Sequence, residues 1–143
     1  MFNREQFVIN ARGHSNISGK HRTTWQLTKE MKLTPRGHCI IGVESTASTA
    51  DLPDWLKGHL QNGGTISIQL QVGEENFYGS AVGHPDLTLD DDIDVVFRKG
   101  HYKSKRTIAI KCSFVADDLP EIVISKLKDP MTRFSVIIQK QLF

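Results

Sequence analysis

The chain has 143 residues, of which 38% are hydrophobic and 24% charged, the balance of an ordinary globular domain. It has no long uncharged apolar run to cross a membrane as a helix, and Met1-Phe2-Asn3-Arg4-Glu5 lacks the apolar core of a secretory signal, so a cytoplasmic protein without a membrane partner is expected. A formal net charge of +2 does not by itself call for nucleic acid, and Cys39 and Cys112 are too few for a secreted disulfide scaffold, although a bridge between them is compatible with a hyperthermophile's interior.

Taken in chain order, Phe7-Val8-Ile9 opens a strand that ends at Gly13. Thr24-Trp25-Gln26-Leu27-Thr28 alternates and is rich in β-formers. Thr34-Pro35-Arg36-Gly37 is a turn before a buried strand at 39–43. Asp51 followed by Leu52-Pro53-Asp54 predicts a helix start, with Trp55, Leu56 and Leu60 on its inner face. Asn62-Gly63-Gly64 stops it, and residues 65–72 alternate as a strand with one face on the core. The second half repeats the plan, with strands at 77–82 and 94–98 and a third carrying Ile108, Ile110, Cys112 and Phe114. A helix follows from Asp118-Leu119-Pro120, with Leu119, Ile122, Val123 and Leu127 inward, and a last strand holds Phe134, Val136 and Ile138. Gly73-Glu74-Glu75-Asn76 reads as a hinge between the halves.

Sliding the chain along itself supports the parallel. Phe7, Ala11, Gly13-His14 and Lys29 fall on Phe77, Ala81, Gly83-His84 and Lys99, and Arg36 and Ile40 on Arg106 and Ile110. After a short deletion Asp51-Leu52-Pro53 meets Asp118-Leu119-Pro120, and Ser67 and Gln71 meet Ser135 and Gln139. The expected fold is therefore one mostly β domain of the α+β class spanning 1–143, with tandem strand-strand-strand-helix-strand repeats over about 6–73 and 77–143. Two short helices are too few for a doubly wound sheet. A barrel-like mixed sheet with pseudo-twofold symmetry is expected, because closure removes exposed edges.

The stretches Ala11-Arg12-Gly13-His14 and 34–42, together with His21-Arg22-Thr23-Thr24, Ala50-Asp51-Leu52 and Arg106-Thr107, resemble an archaeal domain-of-unknown-function family, number 371, over nearly the whole chain. The resemblance implies an archaeal, cytoplasmic source and no particular activity. Its pattern carries an acidic residue after Gly37, where this chain has His38.

Four constellations carry chemistry. His14, His21 and His38 with Cys39 supply metal-ligand types but no metal-binding spacing, and His84 repeats His14 as a structural turn would, so no metal or other cofactor is expected. Cys39 with a distant imidazole would make a nucleophile, yet its apolar flanks suggest an inert buried thiol. Arg12, His14, His21, Arg36 and Arg106 lie at strand-end turns. Arg36 and Arg106, matched between the halves, would clamp a phosphate or carboxylate, or else pair with aspartates such as Asp51 and Asp118. Finally, Arg98, Lys99, Tyr102, Lys103 and Lys105 make a basic segment fit for nucleic-acid phosphates, with Tyr102 placed to stack on a base; Asp90-Asp91-Asp92 would otherwise neutralise it. The favoured reading is a non-enzymatic binding module for an anion, RNA or a phosphorylated small molecule. The alternatives are a metal-assisted or cysteine-based enzyme around His14, His21, Arg36, His38 and Cys39, and a protein–protein scaffold built on a free strand edge.

Overall fold

The computed structural model describes residues 5–141. In chain order these form β1 (Gln6–Arg12), β2 (Thr24–Thr28), β3 (Ile40–Gly42), α1 (Asp54–Gln61), β4 (Thr65–Val72), β5 (Glu75–Val82), β6 (Asp94–Arg98), β7 (Thr107–Ala109), α2 (Glu121–Leu127) and β8 (Arg133–Gln141). Short 3-10 turns, Thr49–Asp51 and Ala116–Asp118, precede the helices. The protein is mostly β with two helices. Among the described residues, no helix is long and apolar enough to cross a membrane.

The strands make two four-stranded sheets, ordered β1-β8-β4-β5 and β3-β2-β6-β7. The first is antiparallel throughout. In the second, β2 and β6 run antiparallel, while β3 lies parallel to β2 and β7 parallel to β6. Exchanging β1 with β5, β4 with β8, β2 with β6 and β3 with β7 merely reverses each order.

Strict alternation in Thr65–Val72 sends Ile66, Ile68, Leu70 and Val72 inward, where Phe134, Val136 and Ile138 of β8 join them. The second sheet answers with Trp25, Leu27, Val95 and Phe97, and the helices with Leu56, Leu60, Val123 and Leu127, so both halves feed one apolar cluster. Trp25 stacks on Phe97 at 3.9 Å and on Phe114 at 5.0 Å. Its indole N–H points at the Cys112 sulfur, 3.4 Å away. Both cysteines are free thiols, so no Cys39–Cys112 bridge forms.

Four sequence expectations are corrected. First, no sheet closes into a barrel. The sheets touch at each margin through one antiparallel bridge, Arg12–Val43 and Val82–Ile110. Directly after each bridge the chain turns away through a positive φ, 51° at Glu44 and 50° at Lys111, which stops the ladder. Second, the expected hinge is a tight hairpin. Glu75 and Asn76 already belong to β5, and Gly73 at φ 61° takes the left-handed position of its two-residue turn. Third, Ile122 is largely exposed rather than inward-facing. Fourth, α1 begins at Asp54, not at Asp51. The Asp51 carboxylate instead accepts the Ser48 amide at 2.9 Å, as Asp118 accepts that of Val115 at 2.9 Å, tying down the preceding 3-10 turn.

Lys29 lies 2.6 Å from Asp51. The ammonium, helped by the Ser48 amide, lowers the carboxyl to about 2. A lowered folded-state value contributes stability above the ordinary carboxyl range, lost as pH falls towards 2. Both side chains are partly exposed, so the effect is modest. Thermal unfolding followed from pH 5 down to pH 2 should show a smaller drop for Lys29→Met than for the unmodified chain.

Candidate anion-binding face

The turn histidines are occupied by backbone. His14 Nδ1 accepts the Asn16 amide at 3.0 Å, and His84 Nδ1 accepts the Asp86 amide at 3.0 Å. His21 Nδ1 accepts the Thr24 amide at 3.2 Å and meets the Thr24 hydroxyl at 2.9 Å. Seventy residues on, Asp91 does the same work, its carboxylate accepting the amides of Ile93 at 3.1 Å and Asp94 at 2.7 Å. Burial raises the Asp91 pKa, but those amides and the nearby Lys105 and Arg106 outweigh it and leave the carboxyl below its ordinary value. An imidazole and a carboxylate thus fill one local role, anchoring the start of β2 and of β6. Among the described residues, no three His, Cys, Asp or Glu side chains are grouped to hold a metal ion. Nor does a thiol–imidazole pair form: His38 Nδ1 lies 2.9 Å from the Ser18 hydroxyl, and Cys39 donates to the Gln26 side-chain oxygen at 3.2 Å.

The arginines do not meet as a symmetric clamp. The Gln26 amide donates to the Cys39 carbonyl, and the Val96 amide donates to the Arg106 carbonyl. Arg106 therefore stands where the first half has Cys39, and Arg36 corresponds to Lys103. The Arg36 guanidinium is exposed and has no side-chain partner among the described residues. Arg106 pairs with Asp94 at 3.1 Å, not with Asp118. Arg12 is ion-paired with Glu44, and its Nη1 donates to the Gly13 carbonyl at 3.1 Å. A cleft of about 470 Å³ opens beside that pair, between β1, β4, β8 and the segment after β3; His14, His21 and Arg36 do not line it.

The basic segment does gather on one face. Trp25, Leu27, Val95 and Phe97 point into the core, so Thr24, Gln26, Thr28, Asp94, Val96 and Arg98 point outward from the second sheet. Arg98 donates through Nε to the Thr107 hydroxyl at 2.7 Å, and its guanidinium lies 4.8 Å from the Tyr102 ring. Burial, and after it the like charge of Arg106, lower the Arg98 pKa. Tyr102 is 68% exposed. Lys99, Lys103 and Lys105 share its loop, which contains no acidic residue between 99 and 106. Asp91 offsets this only partly, through Lys105 at 3.7 Å.

Sequence reasoning missed Gln26, which sits in mid-strand yet is 4% exposed. Its oxygen takes the Cys39 thiol, while its amide nitrogen makes no hydrogen bond within the described residues. No buried side-chain nitrogen or oxygen there lacks a partner, so that nitrogen reaches solvent. Burial pushes the Cys39 thiol up; the Thr24 side chain and the charges of Arg106 and Arg98 pull partly against it. The face thus presents donors, namely two guanidiniums, an amide and an exposed phenol, with two close carboxylates, Asp94 on Arg106 and Asp91 beside Lys105. The only sequence signal for Gln26 is a long polar side chain in a strand with no exposed face.

An uncharacterized protein of Methanocaldococcus jannaschii is 38% identical to this chain over 126 residues, which is 87% of this chain and 92% of that protein. Residues 9–141 match the family described as Domain of unknown function (DUF371), and the chain belongs to that family.

Proposed function

We propose that the protein is a binding module for phosphate-bearing anions, with single-stranded RNA the ligand best suited to its face. The observation that carries this reading is Tyr102, exposed on one side and backed by Arg98, in an acid-free loop of three lysines. A flat ring over a guanidinium offers a stacking platform to an unpaired base. Arg98, Arg106 and the lysines supply the charge that follows a phosphate backbone. The His14 and His21 imidazoles, held by backbone amides, and the raised Cys39 pKa favour binding over catalysis.

Fluorescence anisotropy with a mixed-sequence single-stranded RNA, across a salt series, tests the reading. Each single-strand phosphate contact contributes about 0.7 to the slope of log affinity against log salt. Lys103→Ala with Lys105→Ala should flatten that slope by about 1.4. Tyr102→Ala should cost about 1–3 kcal/mol of binding with the fold intact, since the ring is exposed. Absence of binding at low salt, or binding indifferent to salt, would sink the proposal.

We also read the chain as an internal duplication. It is supported by the reversal of strand order on exchanging the halves, the shared positive φ of Glu44 and Lys111, and the matching turns of His14 and His84. On this reading the guanidiniums of the face belong to one half alone, because Arg106 stands where the other half has Cys39 and Arg98 where it has Thr28.

A further inference from the structure

The cleft beside Arg12 is separate from the basic face and differs from its counterpart in the other half. Its wall segment turns at Glu44, and the equivalent segment turns at Lys111 with the same backbone conformation. The backbone is therefore common to both ends of the first sheet, while the side chains are not. Thr65 stands where the cleft has Arg133, and Gln141 where it has Gly73. Only the cleft end lines its space with an arginine, Arg133, a glutamate, Glu44, and a glycine that leaves room at the rim, with Arg12 paired to that glutamate beside it.

The available groups define a ligand. Arg133 lies across from Arg12 on the neighbouring strand, and its guanidinium has no partner among the described residues. One Glu44 oxygen is engaged by Arg12 and the other is free to accept a hydrogen bond. The Gln71 side chain has no partner there either, and Asn10 keeps its amide N–H groups while its oxygen accepts the Ser135 hydroxyl at 2.6 Å. Arg12, Arg133 and Glu44 together carry one net positive charge. A simple cation would face Arg133 unpaired, and a dianion would face Glu44. The volume of about 470 Å³ lies in the small-molecule range.

We propose that this cleft binds a small amino or hydroxy acid. The carboxylate of the ligand pairs with Arg133, its ammonium or hydroxyl donates to Glu44, and Asn10 and Gln71 complete the contacts. This assignment does not depend on the RNA reading.

Amide chemical shifts of the labelled full chain provide the test, with L-serine and L-lactate as probes and acetate and ethanolamine as single-group controls. L-serine or L-lactate at millimolar concentration should move the Asn10, Glu44, Gln71 and Ser135 signals more than either control. Arg133→Gln, a change at an exposed side chain, should weaken that response at least about tenfold. Lys103→Ala with Lys105→Ala should leave it unchanged, which separates this site from the basic face. No movement with L-serine or L-lactate, an equal response to acetate, or full binding by Arg133→Gln would each overturn the assignment.

Discussion

Gly83→Ala is expected to destabilise the protein by about 4 kcal/mol or more, an effect at the extreme of single substitutions. A methyl carbon on Gly83 would sit 2.0 Å from the Leu60 carbonyl oxygen and 2.5 Å from its Cα. These are backbone atoms at the end of α1, so no side chain can swing aside. The Gly83 amide also donates to the Gly64 carbonyl at 2.8 Å, fixing the approach. Gly13 repeats the contact, with its Cβ position 2.3 Å from the Leu127 carbonyl oxygen at the end of α2. Gly100, with nothing within 4 Å of its Cβ position, is the control, and Gly100→Ala should stay within about 0.5 kcal/mol of the unmodified chain. Urea unfolding midpoints measure both. Equal midpoints for Gly83→Ala and Gly100→Ala would refute the close approach.

Trp25→Ala should cost about 3–5 kcal/mol, the range for removing a fully buried aromatic side chain. Trp25 has no exposed surface, and Phe97 and Phe114 both lean on its ring. Its removal opens a void between the second sheet and the segment after β7, where Phe114 in turn packs edge-on against Phe77 of β5 at 4.9 Å. The loss should therefore loosen both sheets together. Chemical denaturation of Trp25→Ala, followed by far-UV circular dichroism, gives the value, and a cost near that of a surface change would contradict the packing described. Trp25→Phe keeps an aromatic face and should cost less.

The sequence made the strands legible wherever one face is wet. Residues 65–72 alternate because the outer side of the first sheet meets solvent, and every inward position there is buried. In Thr24–Thr28 alternation still marks Trp25 and Leu27 as the core side, but all five residues are buried, and nothing in the pattern shows that the other side, Gln26 included, is covered as well. The barrel expectation failed at Glu44 and Lys111, whose positive φ no glycine announced. The Arg36–Arg106 match assumes that the two halves keep step as far as Ile40, and their connections differ in length before that point. The link from β2 to β3 is three residues longer than that from β6 to β7, so Arg36 slid onto the wrong partner. The equivalence of His21 and Asp91 was equally invisible, because only the accepted amide bonds reveal a shared role. For the candidate face, the basic run was readable as charge. That Tyr102 lies on Arg98 depends on the pairing of β6 with β7.

The end of each helix is sealed by a turn from the opposite half: His14 donates its amide to the Leu127 carbonyl at 2.9 Å, and Gly83 lies on Leu60. Neither helix can fray from its C-terminal end without first dislodging its distant neighbour, and that neighbour is locked by the reciprocal contact. Melting is accordingly expected to be all-or-none, and calorimetric and van't Hoff enthalpies of unfolding should agree, with no half-molecule populated between the two states.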